Sequence, residues 1–188
     1  MTVALAALVA GVAVVQAADG TVDRMPAIFA AACLDGTVAL SPAEASRVGP
    51  EQMPRVLRRR LGSPLSASVW RLSGGGQSYL YVIEYKPDRN TSPKVCGVAS
   101  DQMTLGSATR LLGKRLNAVA NSALHQPVDG LEIINAEDGY SATAMRSGDF
   151  TYLELKQMTE QQQKRMLRRL HQIDSGIPKT PRTVPNPK

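Results

Sequence analysis

The spacing of hydrophobic and polar positions changes period several times along this chain, and each change marks an element. Residues 1–18 carry no charge and are almost wholly Ala, Val, Leu and Gly. Residues 26–34 then read as a short helix, with Phe29 and Cys33 four apart on one face and Gly36 ending it. Ser41-Pro42-Ala43-Glu44 has the form of a capping box with proline at the first helical position, and Gly49-Pro50 stops that turn quickly. A second short helix starts at Pro54 and sets Val56, Leu57 and Leu61 among Arg55, Arg58, Arg59 and Arg60.

The period then becomes two. Residues 66–73 alternate, with Ser68, Trp70 and Leu72 on one face and Ala67, Val69 and Arg71 on the other. Residues 79–86 are rich in tyrosine and β-branched residues, and three glycines at 74–76 make the connection a hairpin. A short third strand covers 94–100 and contains Cys96. Helical period returns over 104–124, where Leu112, Leu116, Val119 and Ala123 form the stripe. Three more strands follow at 131–135, 140–146 and 150–157, turning at Asp138-Gly139 and Ser147-Gly148. A last helix opens at Thr159, capped by Gln162, with Met166, Leu170 and Ile173 on one face, and stops by Gly176.

This order predicts an α+β fold: an antiparallel sheet of about six strands in βββα-βββα order, helices mainly on one face, and two short helices before it. The segments 81–86 and 152–156 are loosely alike, as any two strands of common strand residues are. The predicted organisation is a signal at 1–18, one domain over 19–176 and a proline-rich basic tail at 177–188.

Composition bears on compartment and partners. The apolar run from Val3 to Val15 is about thirteen residues, the length of a signal core and short of the roughly twenty that span a bilayer as a helix. Val15-Gln16-Ala17-Ala18 ends it with small residues suited to cleavage, although no Lys or Arg precedes the run. The reading is export to the periplasm or the medium, with no transmembrane span after processing. The rest of the chain is long enough for one real core. Aromatic residues are only 4% of the whole, so aliphatic side chains must build most of that core. Two cysteines in an exported chain predict one disulfide, Cys33 with Cys96, and closing a loop of about 63 residues stabilises by roughly 4 kcal/mol. The net charge of +6 and pI near 9.6 mark a basic protein. Outside the cytoplasm this charge favours anionic lipid, lipopolysaccharide or cell-wall polymer over nucleic acid.

Motifs with chemistry are sparse. Leu72-Ser73-Gly74-Gly75-Gly76-Gln77 resembles the signature loop of ABC transporter ATPases with one extra glycine, but no P-loop accompanies it. The two histidines, His125 and His171, have no partner at metal-ligand spacing, and no Gly-x-Ser-x-Gly elbow is present, so no metal or cofactor is expected. A secreted hydrolase would have to use Cys96, or a carboxylate pair drawn from Glu84, Glu132, Glu137 and Glu154, with His125 assisting. Two surfaces are more suggestive. Tyr79, Tyr81 and Tyr85 share a strand face, as do Phe150 and Tyr152, and joined together they would form an aromatic platform for a partner; burial beneath a helix is the competing expectation. Basic residues cluster at Arg55, Arg58, Arg59 and Arg60 and again at Lys164, Arg165, Arg168 and Arg169. The functional expectation is a non-enzymatic envelope accessory module that binds a protein or an anionic envelope component, with Tyr79, Tyr81, Tyr85, Tyr152, Arg58 and Arg59 as its candidate surface.

Overall fold

A computed structural model describes residues 24–37, 40–41, 43–74, 76–86, 92–116, 122–125 and 130–174. The readings made for 1–18 and 177–188 lie outside the described residues. Helix α1 (Arg24–Phe29) continues as a π-helical turn (Ala30–Leu34). Strand β1 (Ala45–Val48), a 3-10 turn (Pro50–Gln52) and α2 (Arg55–Leu61) follow. Next come β2 (Ser66–Leu72), β3 (Ser78–Glu84), β4 (Lys94–Ser100) and α3 (Leu105–Leu116). The described residues end with β5 (Ser122–His125), β6 (Gly130–Asn135), β7 (Tyr140–Ser147), β8 (Phe150–Gln157) and α4 (Glu160–Asp174).

The eight strands among the described residues belong to one antiparallel sheet in the order β1-β2-β3-β4-β8-β7-β6-β5. Two four-stranded meanders, each followed by a helix, meet at their last strands, β4 and β8. The alike segments 81–86 and 152–156 begin on β3 and β8, which occupy different places in their meanders, so their likeness does not carry this repeat.

The α+β class and the antiparallel sheet hold, while two strands exceed the expected six. β1 stands where the capping box at Ser41 announced a helical turn. The Ser41 hydroxyl does bond Glu44, at 2.7 Å, but the turn leads into pairing with β2, Ala45 opposite Leu72. β5 replaces the last turn of the helix expected over 104–124. Among the described residues that helix ends at Leu116, and Ala123 instead pairs with Ile134 of β6. Each of these strands is four residues long and owes its existence to a neighbour rather than to its own composition.

Directly opposed residues of an antiparallel sheet share a face, and here both faces are packed. On one face α1 and α3 supply Met25, Phe29, Ala108, Leu112 and Leu116, which lie on Leu72, Leu80, Val98, Leu153, Ile133, Ala142 and Ala144. Thr104 caps α3, accepting from the Ser107 backbone N–H at 3.1 Å. On the other face Met53 and the α2 residues Leu57 and Leu61 cover Val69, Tyr79, Tyr81, Ile83, Val95, Ala99, Phe150 and Tyr152. Helix α2 is thus the exception to the expectation of helices mainly on one face. It is needed because β2, β3, β4 and β8 each carry large apolar side chains on both faces.

Helix α4 opens with the reciprocal cap read from the sequence. The Thr159 backbone N–H donates to Gln162 at 2.8 Å, and the Gln162 N–H donates to the Thr159 hydroxyl at 3.2 Å. The junction before it is fastened to the β6–β7 turn, where the Met158 N–H meets the Gly139 carbonyl and Gln163 donates to the Glu137 carbonyl, both at 2.7 Å.

Candidate functional site

Cys33 and Cys96 form a disulfide with Cα atoms 5.6 Å apart, tying the π-helical turn to β4. The geometry follows from the pattern: Cys33 shares a helix face with Phe29, which is fully buried against the sheet, and Cys96 points to that same side. The bond removes the thiol a cysteine hydrolase requires, and no free cysteine remains among the described residues.

The aromatic residues chosen as a platform are core on the opposite face. Tyr79, Tyr81 and Tyr152 are buried beneath α2. Tyr85 is half-buried and donates from its hydroxyl to the Leu61 carbonyl at 2.7 Å. Of the proposed surface only Arg58 and Arg59 are exposed, on the outer side of α2. The tyrosines are inward because Leu57 and Leu61, one helical turn apart, bring the apolar side of α2 down onto them.

The same helix delivers a polar cluster into that core. Arg60 follows Leu57 by three residues and so sits on its inward side. Its guanidinium donates to both oxygens of Glu154, Nε at 3.1 Å and Nη2 at 2.8 Å, while lying 4.3 Å above the centre of the Tyr152 ring. The Tyr81 hydroxyl donates to Glu154 at 2.9 Å, and the Lys156 ammonium lies 3.2 Å from the same carboxylate. Gly97 stands between Tyr81 and Glu154 in the register, and a Cβ there would come within 2.7 Å of the Tyr81 ring. The glycine lets the tyrosine lie flat and reach the acid.

Burial alone would raise the Glu154 pKa. The charges of Lys156 and Arg60, with hydrogen bonds from Arg60 and Tyr81, outweigh it and hold the carboxyl below its ordinary range. Burial first, then the Glu154 charge and hydrogen bond, push the Tyr81 hydroxyl well above its ordinary value, so it stays protonated and donates. A carboxylate ionised, bidentate and roofed in this way is not a proton acceptor in waiting. Among the described residues the buried Tyr152 and Thr143 hydroxyls find no hydrogen-bond partner.

The other catalytic candidates do not assemble. Glu84 is exposed and bonded to Ser66 at 2.9 Å. Glu132 is half-buried, pairs in register with Thr143 and His125, and is separated from Glu154 by the whole of β7. His171 is exposed on α4. Among the described residues no three His, Cys, Asp or Glu side chains are placed to hold a metal ion.

What remains open to a partner is charge. Gln161, Lys164, Arg165, Arg168 and Arg169 line one exposed face of α4, at i, i+3, i+4, i+7 and i+8. Lys164 pairs with Glu160 one turn earlier; the three arginines extend the face beyond it. On α2, Arg55, Arg58 and Arg59 form a shorter exposed row. Sequence reading found both clusters, but selected Arg58 and Arg59 and passed over the longer α4 face. Its signal was already present in the opposition of basic positions to Met166, Leu170 and Ile173. Comparison with protein-family models, curated proteins and solved structures returns no match.

Proposed function

We propose that this chain is an exported, non-enzymatic envelope module that binds a protein or an anionic envelope component through the cationic face of α4. That face carries the reading, because it brings four cations to one exposed side of a helix whose start is fastened to the sheet. The disulfide supports a periplasmic or secreted location, since such bonds persist in oxidising compartments. The uncharged segment 1–18 supports the same location as a cleaved signal. No described helix is long and apolar enough to cross a membrane. The engaged thiols and the sequestered Glu154 weigh against the hydrolase alternative.

The test expresses the full chain in cells and recovers it by fractionation. The expected product begins at Ala18 or Asp19, shows no reactive thiol before reduction, and is captured by immobilised polyphosphate at low salt but not at high salt. Reversing the four cations together (K164E, R165E, R168E and R169E) abolishes capture. Cytosolic protein with Met1 intact and two titratable thiols would overturn the export reading. Capture unchanged by the reversal would overturn the binding reading.

A further inference from the structure

We infer that the partner of the α4 face is the headgroup plane of an acidic phospholipid bilayer, a conclusion that rests on the anionic-partner reading above and narrows it. The orientation of α4 is the first support. Gln163, on the side of the helix away from the basic row, is held against the β6–β7 turn, and Met166 and Leu167 on that side are half-buried. The cations of α4 therefore face outward from the domain, where a flat partner meets all of them at once.

Shape is the second support. A small free anion requires donors that converge from several elements, and a linear polyanion is best held between walls. Among the described residues the α4 row has neither: those lining it come from one helix, and each is exposed. A convex helix face with several cations within two turns matches a plane of phosphates, to which guanidinium groups bond with two parallel N–H donors.

Charge along the chain is the third support. Lys164, Arg165, Arg168 and Arg169 by themselves reach the lower end of the cluster size that recognises anionic lipid surfaces. Each cation near such a surface contributes roughly fivefold in affinity, and the four on α4 together contribute on the order of a thousandfold.

The experiment is co-sedimentation of the full chain, whose segment 1–18 is common to every variant, with phosphatidylglycerol–phosphatidylcholine vesicles and with phosphatidylcholine vesicles. The expected result is salt-sensitive binding to the acidic vesicles well above that to the neutral ones. It falls on the order of a thousandfold in a K164Q, R165Q, R168Q and R169Q variant and further in the fourfold charge reversal, with circular dichroism unchanged in at least the milder one. Equal binding to both vesicles, or acidic-vesicle binding that survives neutralisation, overturns the inference. Capture by polyphosphate or by single-stranded DNA without vesicle binding also overturns it, yet leaves the anionic-partner reading standing; loss of all three removes both.

Discussion

Glu154 is the residue on which the α2 side of the sheet turns. Its carboxylate is reached by Arg60, Tyr81 and Lys156 at once, and its side chain retains 3% of its exposure. Removing one partner of such a pair leaves the other charge stranded, which is costlier than the pair is worth. Glu154→Ala is therefore expected to destabilise by about 3–5 kcal/mol in urea denaturation, while Glu154→Gln, which preserves shape and one acceptor, loses less. The pH dependence has a definite sign. The folded pKa of Glu154 lies below its ordinary value of 4.5, so its contribution is fully present above that value and is lost as pH falls through the folded pKa. Stability measured from neutral pH downward should decline steeply below pH 4.5 in the natural chain and more gently in Glu154→Gln. Equal acid limbs would remove Glu154 from this role. The cluster was half legible in sequence: Glu154 shares its strand alternation with Tyr152, which already read as a candidate for burial, and Arg60 follows Leu57 by one helical step. What sequence could not supply is that α2 lies over β8, so that Arg60 meets Glu154 from 94 residues away.

Among the elements, the π-helical turn depends most on a covalent tie. It is five residues long, too short to be stable alone, and the Cys33–Cys96 bond spans 63 residues of chain. In the chain-entropy model that bond contributes about 4 kcal/mol. Replacing both cysteines by alanine should lower the urea-derived stability by about that amount, and the same loss should follow reduction of the natural chain. A change below about 1 kcal/mol would show that Phe29, Met25 and the Arg24 bond to the Ser73 carbonyl hold this segment by themselves. Local signals were strong where an element satisfies itself: β2 and β3 through alternation, α4 through its reciprocal cap. They failed where pairing decides. Ser122–His125 has no strand composition of its own and became β5 by lying against β6, and Ala45–Val48 became β1 by lying against β2. The burial of Tyr79, Tyr81 and Tyr152 had the same source, since strand periodicity shows that residues share a face but not what covers it.

At the scale of the whole molecule, the sheet has two cores and one backbone. Leu80, Val98 and Leu153 face α1 and α3, while Tyr81, Ala99 and Tyr152, on the same three strands, face α2. Strands β4 and β8, adjacent at the centre, close both meanders, so each half loses the partner of its last strand and gains an open edge if the other is lost. Unfolding one face would also strip the opposite face of the rigid surface it packs against, which predicts a single cooperative transition. The chain carries its own reporters for this. Trp70, its one tryptophan, packs with the α1–α3 core, and three buried tyrosines belong to the α2 core. Tryptophan fluorescence and tyrosine near-ultraviolet circular dichroism should therefore give coincident midpoints in urea. The coincidence should survive both destabilised variants, with Glu154→Ala shifting the tryptophan signal from across the sheet and the cysteine double variant shifting the tyrosine signal. Separate midpoints in either variant would mean that each face melts alone and that the sheet does not transmit the loss. A common shift from a single acid buried on the far side would establish that the two cores unfold as one unit.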